Sequence, residues 1–179
     1  MTERTPPLLN PTWEELVTSD PLIALSWYLS GRKSCVLELG REILADVDNA
    51  FSGSVTDGGQ LERAEMLTWF WMLGAYEVIR TMCQARNCFS PHLSAELNSL
   101  KKELAQARMP AAKMEAPGRK RPIPSNRSPV DWNQANRDLL IGDPTTTLIS
   151  ARHLVTRFES VITGITPSDI VARHEDSYS

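Results

Sequence analysis

No run in this 179-residue chain matches the length of a membrane-crossing segment. The longest uncharged, apolar-rich run covers residues 66–76, between Glu65 and Glu77. A spanning helix needs about 20 such residues, so this run reads as the centre of a buried helix and no membrane partner is expected. Cysteine is scarce. Cys35, Cys83 and Cys88 are odd in number and lack ligand-like spacing, which excludes a disulfide framework and suits reduced thiols in a cytoplasmic protein. The first seven residues contain no basic region followed by an apolar one, so no secretory signal is expected. Three histidines are scattered, and there is no HExxH, paired CxxC, Walker-type phosphate loop, GxGxxG or nucleophile elbow. Neither a metal nor a cofactor is therefore expected.

What is present divides by charge. The net charge is −3, yet residues 101–127 carry eight basic side chains against Glu103 and Glu115, a local +6. The remainder must then carry −9. Such separation allows a basic surface that meets phosphate or an acidic partner, or a solubilised linker.

Helix punctuation recurs along the chain, and alternating strand patterns are scarce. Thr12 and Glu15 have capping-box spacing, and Asp20-Pro21 is a second start signal. The apolar segment 21–30 is expected to pack inward and to be broken from the next helix at Gly31. From Lys33 to Phe51, the residues Val36, Leu39, Ile43, Val47 and Ala50 form one apolar stripe, as in an amphipathic helix. Asp46 and Asp48 read as its solvated face. A loop over 52–59 leads to a central helix over 61–85.

Apolar residues surround nearly the whole circumference of that central helix, so it must be enclosed by other helices or by a second subunit. Trp69 and Trp71 are both expected in the core. Glu77 and Arg80, three apart, are expected to pair internally. Ser90-Pro91 opens another helix with Leu93, Leu97, Leu100 and Leu104 along one side, the seam of a bundle or short coiled coil. Residues 109–129 contain five prolines, starting at Pro110, and the cluster Arg119-Lys120-Arg121. They read as an irregular basic arm. Leu139-Leu140-Ile141 suits a helix end or a brief strand. Ser150 caps a further helix, and 166–169 starts a last short one. The expected architecture is a single all-α domain over 1–179, a helical bundle of about five to six helices with an irregular Pro-rich basic arm, most simply a homodimer.

One constellation carries possible chemistry: Arg86-Asn87-Cys88-Phe89-Ser90-Pro91-His92, between the apolar helix and the next. Here the chain resembles the HEPN family of small helical-bundle proteins, whose catalytic members carry Arg, often a polar residue, then a few residues and His. The resemblance implies metal-independent RNA cleavage, usually by two facing copies of the motif in a homodimer. It implies that His92 acts as general acid or base, that Arg86 holds phosphate, and that Asn87 orients it. Independently, amides at the start of a helix favour an anion, and Arg86 adds charge beside them. Lys101, Lys102, Arg119, Lys120 and Arg121 would contact an RNA backbone. The alternative is a non-catalytic dimeric helical module that engages a protein partner through the 109–129 arm. His153 reads as solvent-facing, and Cys83 as a small core residue.

Overall fold

A computed structural model describes residues 10–113, 115, 130–143 and 147–172. The capping box forms as expected: Thr12 and Glu15 exchange hydrogen bonds at the start of α1 (Trp13–Ser19). Asp20 caps a short 3-10 turn, Pro21–Ala24, and also holds the Ser30 hydroxyl and the Lys33 ammonium. That turn replaces the helix expected over 21–30. The long helix α2 (Trp27–Ala50) starts instead at the Ser26 cap and runs straight through Gly31. A glycine inside a helix costs only about 1 kcal/mol, which a helix of this length absorbs.

Helix α3 (Gly58–Gln84) is capped by Asp57 and returns along α2. The α2 stripe appears as read, with Val36, Ile43, Val47 and Ala50 buried and Leu39 half-buried. Asp46 departs from expectation: it is buried and ion-paired with Arg63 of α3, while Asp48 reaches Arg152. Along α4 (Pro91–Lys113), Leu93, Leu97, Leu100 and Leu104 are all buried within the chain. The leucine seam is therefore intramolecular. Pro110 lies inside α4, so residues 109–113 are helical rather than the start of an irregular arm. Its ring is buried, and the missing N–H forfeits one bond to the carbonyl of Gln106, an exposed residue near the helix end.

The chain is mostly helical, but an antiparallel sheet corrects the all-α expectation. Strands β1 (Val130–Asn133), β2 (Asp138–Asp143) and β3 (Thr147–Ser150) lie in that order. Ile141 stands opposite Val130 on one side and Ile149 on the other. The ambiguous Leu139-Leu140-Ile141 run is thus a strand, and Gly142 and Asp143 extend it where a turn was expected. Leu139 and Ile141 are buried with α4 and α5 against β2. Helix α5 (Ala151–Thr163) is capped by Ser150, whose hydroxyl accepts from the His153 amide. Phe158 of α5 meets Trp71 of α3 edge to face at 5.7 Å, closing the core. Residues 166–169 form a 3-10 turn rather than a helix proper.

Candidate functional site

The Arg86–His92 segment is a tight joint. Helix α3 ends at Gln84, a 3-10 turn occupies Arg86–Cys88, and α4 starts at Pro91. Arg86, Asn87 and His92 are exposed, whereas Cys88 and Phe89 are buried beneath them. The C-terminal chain stitches this joint shut: Phe89 pairs antiparallel with Ile170, the Val171 amide donates to the Cys88 carbonyl at 2.9 Å, and the Ser90 amide donates to the Asp169 carbonyl at 2.9 Å.

The start of α4 also acquires a fixed anion. Ser90 accepts from the Leu93 amide, and its hydroxyl donates to the Asp169 carboxylate at 2.7 Å. Thr166 adds its amide and hydroxyl, at 3.0 and 2.8 Å. These bonds, led by that from Ser90, hold the Asp169 carboxyl below its ordinary pKa, with nearby His92 a smaller contributor. Carboxylate charge therefore stands beside the start of α4, one hydroxyl removed from its first amides.

The residues grouped in the sequence scatter around the joint. The Ser94 hydroxyl donates to the Arg86 carbonyl at 3.4 Å, and Ser94 lies about 160° around α4 from His92. The backbone at Arg86 thus flanks one side of α4, while His92 lies on the side of Asp169. Lys101 is half a turn round from His92 and about 13 Å along the axis, close enough to Cys83 to act on its thiol electrostatically. Lys102 is exposed. Arg119, Lys120 and Arg121, with most of the basic arm, lie outside the described residues. Among the described residues no cluster of His, Cys, Asp or Glu suits a metal ion, and no helix is long and apolar enough to cross a membrane.

A second surface lies along α2 and α3. Only one side of α3 faces the core: Trp71 is buried, but Met66, Trp69 and Phe70 are 53, 40 and 51% exposed. Trp69 is thus not the core residue expected. Its neighbour Phe70 packs edge to face with it at 4.8 Å. The same helix face continues through Leu73 to Glu77, whose pairing with Arg80 at 2.7 Å lies in solvent rather than inside. Beside Leu73, the two helices part to leave a groove of about 530 Å³ walled by Leu25, Leu29, Val36 and Val78. Tyr28, 69% exposed, and Arg32 form its rim. The Arg32 guanidinium lies 4.7 Å over the Tyr28 ring and donates to its hydroxyl.

Charge is graded along this face. Near the start of α3, Arg63 is met by both Asp46 and Glu42, and exposed Glu62 stands beside them. At the other end Arg32 and Arg80 outnumber Glu77. The sequence contained the signal for this surface in the all-round apolar character of α3. The spacing of Tyr28 and Arg32, four apart on one helix side, was a further sign. Compared with known proteins, the chain is matched by no family model, no curated protein and no solved structure.

Proposed function

We propose that this chain is a non-catalytic helical interaction module that works as a homodimer through the α2–α3 face. The observation supporting this is the exposed apolar patch of Met66, Trp69 and Phe70 on α3, with Tyr28 exposed at the rim of an apolar groove farther along the same face. At about 200 Å² for each fully open side chain, those four expose roughly 400 Å². That is the size of the largest, often functional, patch on a typical monomer and about half of the ~800 Å² each partner contributes to a standard interface, before the groove walls are counted. The leucine seam of α4 is consumed within the chain, whereas α3 and the start of α2, with Trp27 and Tyr28, keep apolar surface in solvent.

Sedimentation velocity tests this reading. The chain is expected to run as a dimer at micromolar concentration, and Phe70→Glu to run as a folded monomer. A monomeric parent chain, or a Phe70→Glu dimer of undiminished affinity, overturns it. In this reading the basic segment within 109–129 recruits the protein partner, and its deletion removes that binding while the helical core stays folded.

The HEPN-like reading, an RNA-binding protein or metal-independent ribonuclease, has one observation of its own. Arg86, Asn87 and His92 are all solvent-exposed within seven residues. Cleavage of RNA in the presence of a chelator, lost in His92→Ala with helicity retained, would support it. Absence of cleavage by the parent chain, or activity unchanged in the variant, removes it.

A further inference from the structure

We propose that the two copies meet with their α3 helices antiparallel, so that Met66 of the partner subunit enters the α2–α3 groove and Glu62 of the partner subunit pairs with Arg32. This inference rests on the homodimer reading and specifies its geometry.

The register follows from the fold. Gly74 lies against Val36, and Trp71 lies against Gly40, so Arg32 on α2 stands level with residues 78–79 on antiparallel α3. The outer side of α3 is carried by Glu62, Met66, Trp69, Leu73, Glu77 and Arg80. Their spacing of three and four is that of a packing seam. A two-fold axis midway between Phe70 and Leu73 sets each against the other across the interface. It brings the partner's Met66 level with Glu77, at the groove, and the partner's Glu62 level with Thr81, within about one helical turn of Arg32.

Charge selects this orientation over the parallel one. Antiparallel packing lays the end where Glu62, Glu42 and Asp46 outweigh Arg63 on the end where Arg32 and Arg80 outweigh Glu77. Parallel packing would set like ends together, which is unfavourable. Arg32 supports the assignment from the other side. Among the described residues it forms no ion pair, and it is held over Tyr28 at the groove mouth by the ring and hydroxyl. Methionine suits the pocket because its unbranched thioether fills irregular apolar space. A consequence is that the two Arg86–His92 joints lie about 44 Å apart along the axis. This dimer therefore forms no composite site from two copies of that motif.

Charge reversal tests the orientation. Arg32→Glu and Glu62→Arg should each raise the dimer dissociation constant about tenfold, and their combination should return it to within about threefold of the parent. A combined variant no tighter than either single one overturns the antiparallel pairing while leaving the homodimer reading intact, provided the parent chain is dimeric and Phe70→Glu is not. A monomeric parent chain overturns both. As an independent measurement, a spin label at Gln84→Cys in a Cys35→Ser background should report an intersubunit separation of about 40 Å. A separation below about 20 Å would place the helices parallel and refute the inference.

Discussion

Two glycines on one helix should respond in opposite directions to the same methyl group. Gly31 and Gly40 both lie within α2, and alanine is the better helix former at each by about 0.5–1 kcal/mol. At Gly31 an added Cβ meets nothing within 4 Å, so Gly31→Ala should keep that gain. At Gly40 the added carbon falls 2.9 Å from Val155 Cγ1 and 3.1 Å from Trp71 Nε1. Neither neighbour can retreat: Val155 and Trp71 are both buried, and Phe158 packs edge to face on the indole. Overpacking of this kind costs about 1–3 kcal/mol, which exceeds the helix gain and leaves Gly40→Ala destabilised by about 1–2 kcal/mol. For a chain of this size each kcal/mol moves Tm by about 2–4 °C. Thermal unfolding followed by circular dichroism should therefore place Gly40→Ala about 5 °C below the parent and Gly31→Ala about 2 °C above it. A Gly40→Ala variant as stable as the parent would refute the close approach of α2, α3 and α5 on which the core description depends.

Two further outcomes follow from the joint and the thiols. The Asp169 carboxyl titrates below its ordinary value of 3.8 because Ser90 and Thr166 donate to its charged form. Its contribution to stability is therefore present above that value and is lost as pH falls through the lower folded-state pKa. Hydrogen exchange at the Val171 amide should be faster in Asp169→Asn than in the parent near neutral pH, with the two converging only once pH has fallen through the lowered folded-state pKa; equal protection near neutrality would show that the carboxylate does not secure the joint. Among the cysteines, Cys35 is exposed, Cys88 is buried, and burial raises the Cys83 thiol pKa. An aromatic disulfide reagent should label Cys35 first at neutral pH, half-buried Cys83 more slowly, and Cys88 only on unfolding. Rapid labelling of Cys88 in the folded Cys35→Ser variant would contradict the burial of that joint between α3 and α4.

The joint between α3 and α4 shows how a motif changes meaning in three dimensions. In the sequence, Arg86 and His92 are neighbours at a helix start that is free to draw an anion. In the fold, Asp169, more than 70 residues away along the chain, supplies the anion, and the tail pairs with the backbone at Cys88 and Phe89. No local pattern encodes a contact of that separation, so the carboxylate beside the helix start was not legible beforehand. The HEPN resemblance accordingly remains a proposal resting on exposed side chains.

Capping chemistry and apolar period by themselves determined much of the helical framework: Thr12, Asp20, Ser90 and Ser150 all cap where their side chains and neighbours indicate, while the caps at Ser26 and Asp57 start α2 and α3 earlier than the apolar period alone suggests. These are short-range bonds within a few residues, and they outlast changes of context. The four leucines of α4 likewise declared their burial through spacing alone. Tertiary structure decided the rest. Leu139-Leu140-Ile141 became a strand because partners on both sides satisfy its backbone, which three apolar residues cannot arrange alone. It also decided which side of α3 the core would take, burying Trp71 and leaving Met66, Trp69 and Phe70 in solvent. A period marks apolar residues, but only the placement of neighbouring helices determines which of them are covered.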